Sequence, residues 1–315
     1  MKLQASLSRV SRHVPSGHLH LFDRCPACGS FDDRKFVGIV QRNPDVSLLL
    51  CPVCKAVSTS HFPSEEFLEK YYSTIFSETY RKYNKDIDVT FSSPERFAGH
   101  ITRFIPVESF DGKDVCIIDF GGGDGALGLA VAKKYSSTSK VQLVVVDFGE
   151  SVVSTDSYSN ISIQKISSLD DFSGKANVVL ASASLEHVPN LTPILRKLFE
   201  VQASDGYFYL RTPFIYPMLR LGMPFDFSFP AHVHDLGVNF WCRFSRVLGF
   251  DYSIIRSAPS IVESSLRSSF LRSLCVYLLK FPARIEFFLF PKKEFLIWPF
   301  VGGWEMVFRK NAGRG

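Results

Sequence analysis

Short apolar runs alternate with amphipathic stretches from residue 113 onward. This alternation predicts a parallel sheet with helices on both faces, because each apolar run can form a buried strand and each amphipathic stretch can cover it. The predicted strands are 115–119, 141–147, 161–166, 177–181 and 207–213, then a sixth that begins at Gly249 and a last one at 303–309. Apolar residues at helical spacing predict helices over 191–203 and 238–248. The expected fold class is α/β.

Two Cys-x2-Cys pairs lie near the start of the chain, at Cys25, Cys28, Cys51 and Cys54. Each pair forms a tight knuckle that points two thiolates at one ion, and two knuckles complete the tetrahedron that Zn²⁺ prefers. Between the pairs, 36–40 and 46–50 have the pattern of short strands on either side of a turn. We therefore predict a zinc-ribbon domain over residues 1–62 with a structural Zn²⁺ ion. Two matched pairs argue against the alternative of a redox-active cysteine pair.

Residues 63–112 are predicted to form a helical connector. Pro63 and the acidic residues after it mark a helix start, and a second helix is predicted over 94–106. The connector is rich in aromatic residues. Tyr72 and Tyr80 could either contact a ligand held by the following domain or pack the helices together, and packing is the favoured interpretation for any single tyrosine.

The turn after the first strand of the sheet carries the strongest chemical signal. Asp119 closes the strand, and Gly121, Gly123 and Gly125 follow before the next helix. Because glycines lack Cβ atoms, a ligand can approach the backbone of this turn and the amide groups at the helix start. The second strand ends on Asp147, where a doubly wound fold places a ribose-binding carboxylate.

Two kinds of ligand suit such a turn. The run Gly123-x-Gly125-x-x-Gly128 fits the dinucleotide fingerprint, which by itself is a weak signal. The neighbouring carboxylates of Asp119 and Asp124 would repel a pyrophosphate and attract a cationic ligand that carries an amino group and a sulfonium. The acidic turn therefore favours the cationic ligand.

The run Asp119-x-Gly121-x-Gly123-x-Gly125 resembles motif I of the class I S-adenosylmethionine-dependent methyltransferases. The resemblance implies a Rossmann-like domain over residues 113–315, with seven strands that are mostly parallel and an antiparallel last strand inserted beside the fifth. It implies S-adenosylmethionine as cofactor, with its methionine end on Asp119 and the glycines and its ribose on Asp147. The cofactor-binding residues implied by the resemblance are Asp119, Gly121, Gly123, Gly125, Asp147, Phe148, Ser167 and Ser184.

The segment Leu185-Glu-His-Val-Pro189 resembles the fourth motif of the same family, where a strand ends beside the transferred methyl group. The Asn/Asp-Pro-Pro-aromatic motif of nucleic-acid amino methyltransferases is absent from this position, so a base nitrogen is not expected as acceptor. In related enzymes the loop after the fifth strand, here 214–235, builds the acceptor pocket. We expect it to be irregular, and His232, His187 and His234 are the candidate general bases, with His232 the first choice.

Two other roles stay open at the end of this loop. His232, His234 and Asp235 could form a second zinc site, although His-x-His-Asp alone is a weak signal. Helix capping is the favoured interpretation of Asp235.

A zinc ribbon joined to such a domain resembles methyltransferases that modify sugars and cell-surface glycans, including sugar C-methyltransferases. The latter carry a further large C-terminal domain that does not follow here, so we expect a sugar hydroxyl of a small-molecule or glycan acceptor. Two alternatives remain: a ribosomal-RNA methyltransferase whose ribbon reads the substrate, and an inactive cofactor-binding scaffold.

Composition narrows the choice of partners. The chain has 315 residues, 46% of them hydrophobic and 21% charged, and a net charge of +5, which allows an anionic acceptor but is too small for a dedicated nucleic-acid binder. No signal peptide or apolar run of spanning length occurs, so a cytoplasmic location is expected. The apolar and basic insertion 262–300 is predicted to be helical, and its core, 262–298, could form a lid, a homodimer face or a peripheral membrane contact.

Overall fold

The N-terminal region is built from short antiparallel strands. The computed structural model describes residues 12–75, 93–149, 158–223, 227–260, 270–290 and 297–312. Strands β1 (Leu19–Leu21) and β5 (His61–Pro63) pair with each other, and β2 (Lys35–Gln41), β3 (Val46–Leu50) and β4 (Val57–Thr59) form a second, antiparallel sheet. The two strands predicted between the cysteine pairs are confirmed as β2 and β3.

Two helices connect this region to the larger sheet. Helix α1 covers Glu65–Ile75 and begins with two glutamates, which suit the positive end of the helix dipole. Helix α2 covers Pro94–Ile101 and is shorter than the predicted 94–106, because the chain turns after Ile101 and places Ile105 in the core. A 3₁₀ turn at Val107–Phe110 leads into the sheet.

The larger sheet has seven strands, and its topology confirms the predicted fold class. Its strands are β6 (Val115–Phe120), β7 (Val141–Val146), β8 (Ile161–Ile166), β9 (Ala176–Ser182), β10 (Gln202–Phe214), β12 (Tyr252–Pro259) and β13 (Gly302–Lys310). They lie in the order β12-β13-β10-β9-β6-β7-β8. The pairs from β10 to β8 are parallel, whereas β13 is antiparallel to both β10 and β12. The last strand is therefore inserted beside the fifth.

Helices cover both faces of this sheet. They are α3 (Ala126–Tyr135), α4 (Leu191–Val201), α6 (Val238–Leu248) and α7 (Phe270–Leu289), whereas the short helix α5 (Tyr216–Arg220) packs against β2 of the N-terminal sheet. One buried cluster contains Phe97, Ile101, Val131 and Tyr135 from α2 and α3. The other contains residues of α4 and α6, among them Trp241 and Phe244, together with the cysteines Cys25, Cys51 and Cys54. The cysteine knuckles thus share a core with the larger sheet, whereas β3 and β4 pack with Phe227 and Phe229 in a separate cluster.

The predicted irregular loop 214–235 contains two regular elements in its described part, so this prediction is wrong in part. Helix α5 lies near its start, and its end forms β11 (His234–Asp235), which extends the N-terminal sheet to four strands. In that pairing His234 lies opposite Ser58 and Asp235 opposite Val57. Hydrogen bonds between strands from distant parts of the chain hold this segment in place.

The fifth strand also differs from the prediction. Helix α4 ends at Val201, and β10 begins at once at Gln202 rather than at 207. The register on β9 shifts between Gln202 and Tyr207, and Asp205 has a φ of +60°. Asp205 and Gly206 therefore form an irregularity inside the strand instead of ending the helix.

Helix α7 confirms the predicted helix of the 262–300 insertion over Phe270–Leu289, whereas the described residues 297–300 are not helical. Several of its apolar side chains face solvent, including Leu278 at 58% and Phe288 at 82% exposure. Among the described residues, no helix combines the length and apolarity needed to cross a membrane.

Candidate active site

The turn between β6 and α3 has a backbone that requires glycine. Gly121, Gly123 and Gly125 have φ values of +66°, +61° and +85°, in the left-handed region that residues with a Cβ rarely adopt. Gly121 also lies against the end of β9, where an added Cβ would overlap the side chain of Ser184. The carboxyl ends of β6 and β9 therefore meet at this turn.

Asp119 lies beneath the turn with its side chain almost fully buried. Its Oδ2 accepts a hydrogen bond of 2.9 Å from the backbone N–H of Gly128, near the start of α3. Burial raises the pKa of Asp119, the N–H of Gly128 lowers it, and the carboxylates of Asp147 and Asp124 raise it, with a net pKa of about 7. A cation bound near the turn would favour the ionised form.

Asp147 follows β7 and holds the turn from the other side. Its two carboxylate oxygens accept from the N–H groups of Gly123 and Gly149, each at 2.9 Å. Lys165 on β8 donates to the carbonyl oxygen of Gly123 at 2.8 Å. Phe148 projects into solvent with 92% of its surface exposed, which leaves its ring available to a ligand beside Asp147.

The two serines of the predicted cofactor set lie in different environments. Ser167 is exposed after β8. Ser184 is buried, and within the described residues its hydroxyl oxygen has no hydrogen-bond partner. Ser184 belongs to the sharp turn after β9, in which Ala183 has a φ of +55°, an uncommon conformation for alanine.

Glu186, His187 and His232 come together just beyond Ser184. Each offers one potential metal-ligating atom, and these atoms all lie within 4.8 Å of one another. The rings of His187 and His232 meet edge to face with centroids 4.8 Å apart. Glu186 is buried and the two histidines are half-buried, so the carboxylate lies on the inner side of the group.

The orientation of the His187 ring is set by its neighbours. Its Nδ1 lies 2.9 Å from the carbonyl oxygen of Ala231 and 3.1 Å from the hydroxyl of Tyr72 on α1. A carbonyl only accepts, so Nδ1 carries the hydrogen and the lone pair lies on Nε2. Burial lowers the pKa of His187, although the carbonyls of Ala231 and Ala183 act in the opposite direction. The ring is therefore held neutral with Nε2 as its basic atom.

Comparison with known proteins identifies the family. The profile of a family described as "Methyltransferase domain" matches residues 88–246, which is half of the chain. The chain belongs to this family. It is an S-adenosylmethionine-dependent methyltransferase, as the resemblance of its glycine turn implied.

Three solved structures illustrate the similarity in fold. Coclaurine N-methyltransferase bound to N-methylheliamine and SAH is 16% identical, over 69% of this chain and 72% of that chain, with a TM-score of 0.42. The plantazolicin methyltransferase BamL is 13% identical, over 76% of this chain and 94% of that chain, with a TM-score of 0.47. The YcgJ protein from Bacillus subtilis is 15% identical, over 68% of this chain and 100% of that chain, with a TM-score of 0.42. No sequence of a curated protein matches the chain.

The methyltransferase also brings its four paired cysteines together. The Sγ atoms of Cys25 and Cys54 lie 3.7 Å apart, and those of Cys28 and Cys51 lie 3.8 Å apart. Four sulfur atoms at about 2.3 Å from a tetrahedral Zn²⁺ ion lie about 3.8 Å from one another, whereas a disulfide needs about 2.05 Å. The four thiols are free and their spacing fits a zinc ion.

His234 and Asp235 of the methyltransferase are engaged in the structure itself. His234 is fully buried, its Nδ1 is 2.8 Å from the Ser58 hydroxyl, and its Nε2 is 2.8 Å from the carbonyl of Val188. Burial lowers its pKa to about 4. The Asp235 carboxylate accepts from the backbone N–H groups of Ile215 and Tyr216. It therefore caps α5, and the residues that could ligate a metal together with His232 are Glu186 and His187 rather than His234 and Asp235.

Sequence reasoning did not single out Lys165, nor the contact between Ser184 and Gly121. Lys165 lies in an ordinary alternating strand and gave no signal. The Ser184 contact depends on the approach of two strand ends that are distant in sequence. Tyr72 is one of the two tyrosines that the sequence offers for a ligand contact or for helix packing, and its hydroxyl lies 3.1 Å from Nδ1 of His187. Tyr80 lies outside the described residues.

Proposed function

We propose that this methyltransferase transfers a methyl group to a hydroxyl of a sugar or glycan, either a nucleotide sugar or a precursor of a cell-surface polysaccharide. The observation that carries the proposal is the contact between His187, in the turn after β9, and His232, together with the contact of Ser184 in the same turn with Gly121. A hydroxyl must lose its proton when it is methylated, and imidazole is the side chain best suited to take it near neutral pH.

The residues around the glycine turn fit the methyl donor. Asp119 and Asp147 place negative charge on both sides of a backbone that leaves room for a ligand. We propose that Asp119, Gly121, Gly123 and Gly125 hold its amino-acid end, that Asp147 and Phe148 hold its ribose and adenine, and that Ser167 and Ser184 complete the site. When bound, S-adenosylmethionine supplies an electrophilic methyl group, and the protein provides position and proton removal.

His232 is our first choice for the residue that takes the acceptor's proton. Its ring lies against that of His187, whose orientation is fixed by Ala231 and Tyr72. His187 can substitute, because its Nε2 carries a lone pair and its lowered pKa keeps it neutral. His234 is the weakest of the three candidates, since both of its ring nitrogens already have partners.

The N-terminal sheet supports the acceptor side of the site. We propose a structural Zn²⁺ ion on Cys25, Cys28, Cys51 and Cys54. The first knuckle accepts a hydrogen bond at the Pro26 carbonyl from the N–H of Leu191, the first residue of α4. The N–H of Thr59 on β4 donates to the carbonyl of Val233, beside His232. We keep the boundaries 1–62, 63–112 and 113–315 as the proposed domains, with the ribbon as a wall of the acceptor pocket.

The test is a methyl-transfer screen with the full chain and labelled donor against nucleotide sugars, glycans and ribosomal RNA. We expect label on a sugar, and NMR of the product should place the methyl on an oxygen. Label on RNA alone, or methyl on carbon or nitrogen, would contradict the proposed acceptor. Transfer to nothing would favour the inactive scaffold.

A matched pair of variants tests the proton acceptor. His232→Asn should reduce kcat by about a hundredfold or more, the usual contribution of a general base, while leaving donor binding intact. His61→Asn is the control, because His61 is a half-buried histidine of β5 that bonds to Ser60. Full activity of His232→Asn would transfer the role to His187.

A further inference from the structure

We infer that Glu186, His187 and His232 form a binding site for a divalent transition-metal ion beside the acceptor. One carboxylate and two imidazoles are a ligand set that holds Mn²⁺, Co²⁺ or Zn²⁺ and leaves coordination positions open. This site is separate from the four cysteines and includes neither His234 nor Asp235. The inference goes beyond the proposed function, and it rests on that function only for its consequence in catalysis.

The distances fit one ion. Ligand atoms bound at about 2.1 Å to the same ion lie roughly 3.4 Å apart in a tetrahedral arrangement. The three candidate atoms lie within 4.8 Å of one another, so small rotations about side-chain bonds bring them onto a common ion. The three residues come from two segments that meet beyond the carboxyl end of β9. Glu186 and His187 belong to the 3₁₀ turn after β9, and His232 to the segment before β11.

The outer contacts of His187 are those of a metal ligand. A ligating histidine usually donates its other ring N–H to a backbone carbonyl or a similar acceptor, which fixes the tautomer and the direction of the ring. His187 donates from Nδ1 to Ala231, with the Tyr72 hydroxyl also close, so that Nε2 is the atom left for an ion. The same Ala231 immediately precedes His232, so one short segment supports both histidines.

The charge of the surroundings favours a cation. Glu186 and Asp235 are both buried, at 1% exposure each. Burial raises the pKa of Asp235, the N–H groups of Ile215 and Tyr216 lower it, and the carboxylate of Glu186 raises it, with a net pKa of about 7, so the two carboxyl groups interact. Two carboxylates in a poorly solvated region repel each other, and a divalent ion on Glu186 would relieve part of that repulsion.

A metal at this place would change how the acceptor loses its proton. Bound there, the ion would act as a Lewis acid that lowers the pKa of a coordinated acceptor hydroxyl, so that the proton could leave to solvent. His232 would then act as a ligand, and its role as base belongs to the metal-free enzyme. The site would thus favour acceptors with an oxygen available for coordination.

The test measures metal binding by the full chain, with the cysteine site loaded with zinc and with neither donor nor acceptor present. Mn²⁺ is the probe, because its free-ion EPR signal is lost on binding and thiolate sites select softer ions. We expect one Mn²⁺ per chain in the wild type. Glu186→Gln and His232→Asn should each weaken binding by about tenfold or more. His61→Asn should bind like the wild type.

The inference is overturned if the wild type binds no Mn²⁺, or if both variants bind it as tightly as the wild type does. Zinc content and melting temperature establish that each variant is folded. Because His232 is half-buried, we expect its replacement to leave the chain folded even if the change at buried Glu186 does not. This experiment measures metal binding and no methyl transfer. It can therefore disprove the metal site without disproving hydroxyl methylation, and the methyl-transfer screen can disprove hydroxyl methylation without disproving the metal site.

Discussion

Gly121 and Gly112 share a left-handed backbone but have different surroundings. Their φ values are +66° and +69°. A Cβ on Gly121 would overlap Ser184, whereas a Cβ on Gly112 would meet no atom within 4 Å. Gly121→Ala should therefore weaken donor binding by about tenfold or more, since it displaces the end of β9 as well as straining the turn. Calorimetry measures this directly.

Gly112→Ala is the matched control for Gly121→Ala. It imposes the same backbone strain at the opposite edge of the sheet, so it should cost some stability and leave donor affinity unchanged. Equal losses of affinity in the two variants would show that strain alone, and not the contact with Ser184, determines the effect.

Asp119 should make donor binding depend on pH. Its pKa is raised from an ordinary 3.8 to about 7, so between these values the folded chain binds more protons than the unfolded chain. Stability therefore falls as the pH rises through this window and is constant above it. A cationic donor prefers the ionised carboxylate, so its affinity should rise up to about pH 7 and then level off.

Titrations at several pH values, from about 6 to about 8, would reveal this linkage. Asp119→Asn keeps the shape of the side chain but cannot ionise, so its affinity should be lower and independent of pH. A wild-type affinity that is flat across the range would mean that Asp119 does not ionise when the donor binds.

At the residue scale, the sequence predicted that the acid and the glycines lie together at one turn, but it did not predict their contacts with other elements. The acid and the glycines of the turn are close together in sequence, so a local pattern was enough to predict the turn. The Ser184–Gly121 contact and the Tyr72–His187 hydrogen bond join residues from different elements. No local sequence pattern predicts such contacts between distant residues, because they depend on how the elements pack.

The elements show the same contrast. For most strands of the larger sheet, the predicted ends lie within one or two residues of the observed ends, because apolar runs bounded by turns mark them clearly. The two-residue strand β11 was missed. His234 and Asp235 form a strand only because β4 offers its edge to them, and polar residues in a short loop carry no strand signal of their own.

The pairing of β11 with β4 predicts that zinc stabilises the acceptor side of the site. Structural zinc ions contribute apparent binding energies of about 10–16 kcal/mol at neutral pH, so their removal should disorder the cysteine knuckles and the strands between them. Chelation should therefore speed hydrogen exchange at the N–H groups of Thr59 and Val233, which bond across to Val233 and Glu186. The N–H groups of β7 should stay protected.

Mass spectrometry of exchanged peptides with and without chelator makes this measurement. Unchanged exchange at 231–235 after the zinc has been lost would mean that the ribbon does not support the loop. Exchange that rises equally in β7 would mean that the whole chain unfolds without the ion.

At the scale of the whole molecule, the candidate site lies where the parallel strands end. The glycine turn follows β6, Asp147 follows β7, and Ser184 and Glu186 follow β9, so one edge of the sheet presents all of them. This is the edge at which open α/β sheets bind their ligands. The place of the antiparallel last strand beside the fifth was implied by the family resemblance, whereas the sharing of one core by the cysteine knuckles and the sheet was not. The dimer face and membrane contact proposed for 262–298 stay predictions.

The central claim is that carboxylates around a glycine turn select a positively charged methyl donor over a phosphate-bearing coenzyme. The most direct test is a calorimetric titration of S-adenosylmethionine and of NAD⁺ into the wild type, Asp147→Asn and a control, Asp114→Asn, at the opposite edge of the sheet. We expect the donor to bind the wild type and the control with the same affinity, and to bind Asp147→Asn with an affinity that is lower by about tenfold or more. We expect NAD⁺ to bind none of the three proteins. Binding of NAD⁺ to the wild type, or unchanged donor affinity in Asp147→Asn, would contradict the account.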